Sequence, residues 1–233
     1  MNMNIAIVGY GKMGRLIEQL APEFRCTVKL RLDVDNNTRF EGMTKENFAG
    51  IDLALEFSNP AAAPENLERL AKLGINSVSG TTGWDAQAAR VRAAVEQYGT
   101  GLVWSPNFSI GVWVLSQIVT EAARLLASQP EYGAWAWEIH HAAKKDAPSG
   151  TLLALVESMK KAGYTRPIDA SSSRAGMQPG THEVGFDSAA DTITIRHTSR
   201  NREGFARGAL RAARWIAGKK GFYDFREIVR ELN

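Results

Sequence analysis

The 233-residue sequence predicts an α/β protein: a doubly wound parallel sheet, joined to a second α+β domain with an open mixed sheet. Three observations predict it. Over the first hundred residues, short apolar runs alternate with amphipathic stretches, the pattern of strands returning through helices. A Gly-x-Gly-x-x-Gly turn, Gly9, Gly11 and Gly14, follows the first run and opens the first helix. After Asn107 the character changes to long helix, strand, charged loop, helix and two neighbouring strand-like runs.

Ile5 to Val8 has the composition of a buried parallel strand. In the turn after it, Gly9 makes the bend, Gly11 lets a pyrophosphate approach, and Gly14 lets the helix pack on the strand, with Tyr10, Lys12 and Met13 between them. Thr27 to Leu32 is the second strand and ends in Asp33, an acid about 20 residues past the glycines, where a ribose hydroxyl is held. Asp52 to Phe57 reads as a strand, Ala61 to Leu73 as a helix stopped by Gly74, Asn76 to Ser79 as a strand, Trp84 to Tyr98 as a helix, and Leu102 to Trp104 as a strand. A Rossmann-like sheet of this kind takes its ligand at the carboxyl ends of its strands. Those ends carry Phe57-Ser58-Asn59-Pro60, Gly80-Thr81-Thr82-Gly83 and Ser105-Pro106-Asn107-Phe108. Ordinary turns use similar residues; it is the shared position at successive strand ends that points to a dinucleotide.

Gly111 to Leu126 is an apolar amphipathic helix. Trp135, Trp137 and Ile139 alternate with Ala134, Ala136 and Glu138, a strand ending near His141. Leu152, Leu155, Val156 and Met159 recur at helical spacing, so a helix begins close to Thr151. Ala170 to Ser173 reads as a Ser-rich loop, the candidate mobile segment. Thr181 to Phe186 and Thr192 to His197 read as antiparallel neighbours, Phe205 to Ala217 as a helix, and Phe222 to Leu232 as a short closing helix that returns to the first domain.

Composition narrows the function classes. With 44% hydrophobic and 23% charged residues, the chain is ordinary globular protein. One cysteine, Cys26, excludes an internal disulfide and fits a reducing compartment. No apolar run reaches the ~20 residues of a membrane span, and MNMNIAIVG lacks a basic region before an apolar segment, so the expectation is a cytoplasmic protein with no membrane partner. The net charge of +3 is mild; the arginines between Arg196 and Arg214 suit a small acidic ligand or a solvated helix face better than nucleic acid.

Chemistry gathers in Glu138 to Thr151, EIHHAAKKDAPSGT. At a helix start, Gly150 and Thr151 offer N–H groups without intrahelical partners to an anion. Lys144 or Lys145 adds a point charge, and His140 or His141 a donor that titrates near neutrality. This combination fits a carboxylate-bearing ligand with a proton donor beside it. The alternative is a plain capped helix, with Asp146 or Ser149 as cap and solvated lysines. Metal catalysis is not expected: adjacent His140 and His141 point to opposite faces of a strand, and no Cys pair or His-x-x-x-His spacing completes a ligand set. His182 and His197 read as ordinary sheet residues, with the alternative that either faces the substrate crevice.

With the glycine turn, GTTG, SPNFSIGV and EIHHAAKKDAPSGT in order along most of its length, the chain resembles the 4-hydroxy-tetrahydrodipicolinate reductase (dihydrodipicolinate reductase) family. The resemblance implies an NADH- or NADPH-dependent reductase acting on a cyclic imine with two carboxylates. By motif position it implies His140 as proton donor or acceptor and Lys144 as proton donor, with His141, Ser149, Gly150 and Thr151 on the substrate. Gly9 to Gly14, Asp33, Phe57, Gly80 to Thr82 and Ser105 to Phe108 would line the cofactor. It further implies a homotetramer and two domains, 1–108 with about 206–233 for the dinucleotide, and 109–205 for substrate and oligomerisation.

The chain departs from the commoner family pattern in places. Its glycine turn is one residue shorter, Val34 follows Asp33 where an arginine is common, and Asn59 precedes Pro60 where another is. Asp33 without those arginines suits the ribose diol of NADH, unless Arg31 or Arg39 compensates, so the expectation is NADH with use of both nucleotides. The segment before Arg174-Ala175-Gly176, which reads as a strand start, is compressed. Two other readings share the glycine turn: an amino-acid dehydrogenase such as aspartate dehydrogenase, and a nonenzymatic NAD sensor. Neither explains His140, His141, Lys144 and Ser149-Gly150-Thr151 together.

Overall fold

The computed structural model describes residues 2–232. Along the chain run β1 (Met3–Val8), α1 (Lys12–Leu20), β2 (Cys26–Leu32), the short α2 (Val34–Asn37), β3 (Leu53–Glu56), α3 (Ala63–Lys72), β4 (Asn76–Ser79), α4 (Ala88–Tyr98) and β5 (Gly101–Trp104). Then come α5 (Ile110–Leu126), β6 (Gly133–His140), α6 (Gly150–Lys161), β7 (Ile168–Arg174), β8 (Thr181–Asp187), β9 (Thr192–Thr198), α7 (Glu203–Ile216), β10 (Gly221–Asp224) and α8 (Phe225–Ile228). The chain divides into two compact units, Met1–Ser109 with Glu203–Asn233, and Ile110–Arg202.

The first unit is a six-stranded parallel sheet in the order β10-β5-β4-β3-β1-β2. In β1, Ile5, Ala6, Ile7 and Val8 are all buried, as a central strand covered on both faces requires. Helices α3 and α4 pack on each other, and α1 on α7. The closing segment departs from the all-helical expectation: Gly221–Asp224 adds a parallel strand beside β5, and only then do α8 and a 3-10 turn follow. The aromatic pair Phe222-Tyr223 suits a sheet edge, and Asp224 starts the helix by accepting from the Arg226 amide.

The second unit is a four-stranded mixed sheet, β7-β6-β8-β9, with β7 parallel and β8 antiparallel to β6. One face is covered by α5 and α6 through Leu115, Val119, Leu152, Leu155 and Met159 against Ala134, Ala136, Val184 and Phe186. The Ser-rich loop is here corrected to a strand. Ile168–Arg174 pairs with β6 from Ala134↔Ile168 to His140↔Arg174, so Arg174 closes a strand and does not start one. Pairing is a backbone matter, and the serines contribute bonds where apolar side chains would contribute packing.

Candidate active site

In the first unit the glycine turn separates into two kinds of position. A side chain on Gly9, at φ 93°, would meet the Phe57 carbonyl oxygen at 2.4 Å, and one on Gly14 the Gly9 carbonyl at 2.5 Å. Both glycines are demanded by strand–turn–helix packing. Beside Gly11 nothing lies within 4 Å. Gly11 is also the N-cap of α1, with no side-chain cap and no acid in the first turn. The Lys12 and Met13 amides thus start a helix whose positive end is open, the environment a pyrophosphate needs. Asp33 follows β2 and caps α2: its Oδ1 accepts from the Val34 amide at 3.0 Å, while Asn36 accepts from the Asp33 amide at 2.8 Å.

The other strand ends are tightly stitched. The Phe57 ring lies where a side chain on Gly80 would be. The Thr81 carbonyl accepts from Trp84 Nε1 at 2.8 Å and Trp104 Nε1 at 3.2 Å, while Thr82 is exposed. Ser105 Oγ accepts from the Asn107 amide at 3.1 Å and Pro106 is exposed; Phe108 is buried against Phe225. At the end of β3 the fully buried Glu56 accepts from Ser58 and from Ser79 Oγ at 2.7 Å, and its burial pushes the carboxyl upward. Nothing in the sequence reading singled it out.

In the second unit, period-two alternation turns Ala134, Ala136, Glu138 and His140 to the covered face of the sheet. Glu138 is fully buried and acts as a hub. Its Oε1 accepts from the Ser149 amide at 2.8 Å, Ser172 Oγ at 3.0 Å and Arg174 Nη2 at 2.8 Å, and Ser149 Oγ donates to its Oε2. Burial alone would raise this carboxyl; the bonds from Ser149 and Arg174 outweigh it and hold it at about 2. Ser149 Oγ also accepts from the Leu152 amide at 3.2 Å, which makes Ser149, not Asp146, the cap of α6. The Gly150 and Thr151 amides remain at the helix start with no intrahelical acceptor.

His140 Nδ1 lies 3.4 Å from Glu138 Oε2, and the His140 and His182 rings meet edge to face at 5.1 Å. His182 Nε2 is 3.2 Å from Ser149 Oγ and 3.3 Å from Glu138 Oε2. His182 therefore belongs to this cluster and is not an ordinary sheet residue. Burial, with the push of neighbouring His140, lowers it to about 4. His140 is lowered too, first by burial, with Lys144 and Arg174 adding to it against the opposing pull of Glu138. Burial thus exceeds the lysine in keeping that imidazole neutral. Half-buried Lys144 donates to both Asp146 oxygens, at 2.7 and 2.9 Å, and lowers the aspartate's carboxyl; Lys145 is exposed and His141 half-buried. Glu138, His140 and His182 also place one potential ligand atom each within 4.8 Å of the others. Yet the Glu138 carboxylate already accepts four bonds, one from a guanidinium that supplies the positive charge a cation would bring.

The arrangement offers an anion-binding helix start, a cationic amine and a neutral imidazole within one short segment. Comparison with known proteins places the chain in a family. The dihydrodipicolinate reductase N-terminal family model matches residues 3–108 and the C-terminal one residues 111–229. The chain is 33% identical over 243 residues to the 4-hydroxy-tetrahydrodipicolinate reductase of Christiangramia forsetii, covering 99% of each chain. It is 33% identical over 231 residues to that of Thermosipho africanus, covering 98% of this chain and 99% of the other. The dipicolinate-bound dihydrodipicolinate reductase from Paenisporosarcina sp. TG-14 shares the fold, with a TM-score of 0.80 at 21% identity over 98% of this chain and 100% of that one. Both halves being matched in order, the chain belongs to the dihydrodipicolinate reductase family, oxidoreductases that reduce 4-hydroxy-tetrahydrodipicolinate to tetrahydrodipicolinate with a reduced nicotinamide nucleotide in diaminopimelate and lysine biosynthesis.

Proposed function

We propose that this chain performs that reduction with His140 and Lys144 as its proton-handling groups and with NADH preferred over NADPH. The observation that carries the reading is the start of α6. There the Ser149 cap leaves the Gly150 and Thr151 amides for one substrate carboxylate, with Lys144 and His141 on the segment leading into them. The bound nucleotide supplies the hydride. Hydride addition to a conjugated imine leaves a carbanion-like centre that must take a proton, and a positioned acid lowers that barrier. Lys144 also draws in a dianionic substrate, and its charge counts for more where water is excluded.

The open start of α1 is assigned to the pyrophosphate and Asp33 to the ribose; Phe57, Gly80, Thr81, Thr82 and Ser105 to Phe108 line the nucleotide. Support for the NADH preference comes from the surroundings of Asp33. Arg31, on the same strand, is already engaged by Glu18, and Val34 and Asn59 supply no cation. A cytoplasmic homotetramer completes the proposal. The uncovered face of the second sheet carries half-buried Trp135 and Trp137, the latter bonded to Ser173 at 3.1 Å, a surface suited to a second copy. No helix among the described residues is long and apolar enough to cross a membrane.

The test is loss of nicotinamide absorbance with NADH and NADPH in parallel, the substrate being generated in place by dihydrodipicolinate synthase from pyruvate and aspartate semialdehyde. Substrate-dependent oxidation, faster with NADH, is expected. No oxidation by protein that binds either nucleotide would overturn the reaction, and faster NADPH turnover the preference.

A further inference from the structure

Tyr10, the residue between the first two glycines of the turn, is flanked by two guanidinium groups. The Arg15 Cζ stands 4.8 Å from its ring centroid and that of Arg31 5.8 Å. Its hydroxyl donates to Glu18, and so does Arg31, so that one carboxylate on α1 gathers a side chain from the turn and one from β2. The pairing holds the Glu18 carboxyl below the usual range, Arg31 being the largest cause and Tyr10 the next, and it raises Arg31 in return. Arg31 precedes Asp33 by two residues, so both lie on the same side of their strand. The Arg31 carbonyl accepts from Asn36 Nδ2 at 3.0 Å, and Asn36 is the residue that closes the capping box with Asp33. The basic group nearest in sequence to the ribose acid is therefore occupied, and its charge is matched by Glu18.

We infer that Glu18 is a specificity-determining residue: by engaging Arg31, together with Tyr10, it denies the 2′-phosphate of NADPH its cation and leaves the ribose diol of NADH favoured. The chemistry is one of competition. A 2′-phosphate brings about two negative charges and needs a free guanidinium. Here it meets two carboxylates, Glu18 and Asp33, and an arginine whose Nη2 is already given to one of them. The diol brings no charge and needs only an acceptor. This inference rests on the reading of Asp33 as the ribose ligand.

The experiment is Glu18→Gln, which keeps the shape of the side chain and removes its charge. Calorimetric titration with 2′,5′-ADP and with 5′-AMP isolates the adenosine end without catalysis, and kcat/KM with NADPH and NADH follows the same ratio in turnover. Affinity for 2′,5′-ADP relative to 5′-AMP is expected to rise about fivefold, the scale of one partly exposed ion pair. That gain should vanish in Glu18→Gln with Arg31→Ala. An unchanged ratio in Glu18→Gln overturns the inference, as does a gain that survives the loss of Arg31, which would be charge removal alone. Asp33→Ala, measured in parallel, separates the two levels. If it shifts the ratio and Glu18→Gln does not, the latch alone is wrong; if it shifts nothing, the placement of the ribose falls and the latch with it. Because the Arg31–Glu18 pair is partly exposed, with side-chain accessibilities of 44% and 25%, its loss leaves folding intact.

Discussion

Replacing Glu138 by glutamine removes the charge at the centre of the second unit and almost none of its volume. Two routes give the size of the effect. A carboxyl held at about 2 in place of its ordinary 4.5 corresponds to roughly 3 kcal/mol of folded-state preference for the ionised form. Independently, removing one partner from a buried ion pair costs about 3–5 kcal/mol, because the other charge is left without compensation. Here that charge is Arg174, whose side chain is 16% exposed. Both routes lead to a loss of about 3 kcal/mol at neutral pH, measured as the difference in urea unfolding free energy. The pH dependence follows from the sign of the shift. The folded-state value is depressed, so the stabilisation is present above the unfolded value and is lost as pH falls from about 4.5 towards about 2. The gap between wild type and Glu138→Gln should therefore be full at pH 7 and should close only as pH approaches about 2. A gap under about 1 kcal/mol at pH 7, or one that stays constant into acid, would refute the claim that Glu138 is an ionised hub.

Four further substitutions probe the two sites. Lys144→Ala should cut turnover by about 10² or more while nucleotide affinity, measured by fluorescence titration, stays near wild type; lost nucleotide binding would mean the site is misplaced. Gly11→Val should abolish nucleotide binding in a folded protein, since its side chain enters space with no protein atom within 4 Å, whereas Gly14→Val should fail to fold because it meets the Gly9 carbonyl. Circular dichroism and nucleotide titration together separate the two outcomes. Gly180→Ala places a methyl 2.9 Å from His140 Nε2, at a residue whose φ of 146° already disfavours side chains. The ring must move, and kcat should fall by about tenfold or more with little change in nucleotide affinity.

The parallel sheet and the acid hub differ in how they are written in the chain. Packing leaves a periodic trace: Ile5 to Val8, Leu53 to Leu55 and Leu102 to Val103 are apolar because both faces of their sheet are covered, and the pattern can be read in one dimension. Hydrogen bonding by serine leaves none. Ser171, Ser172 and Ser173 resemble a loop by composition, yet their backbone pairs with β6 along its length, and Ser172 and Ser173 bond Glu138 and Trp137. The Phe222-Tyr223-Asp224 edge was hidden for a related reason, since four residues are too few to show any period.

Glu138 did carry a signal. It falls in register with Ala134, Ala136 and His140 on the inward face, and an acid on such a face demands partners. What one dimension withholds is who they are. Ser149 arrives from 11 residues onward and Arg174 from 36, and the pairings Glu138↔Ser172, His140↔Arg174 and Glu138↔His182 bring three strands to one carboxylate. The same register explains why His182 could not be told from His197 in the sequence, for nothing local distinguishes it from that residue, which lies beside it on the outer strand. The two differ in burial and in what stands opposite: His182 is buried and its Nε2 reaches Glu138 and Ser149, whereas His197 is half-buried. A helix start proposed to present free amides to a substrate carboxylate cannot use its own first residues as anchors. It has to be fixed from behind, and the Glu138–Ser149 pair, bonded through both the amide and the hydroxyl, fixes it on the side that the open amides leave available.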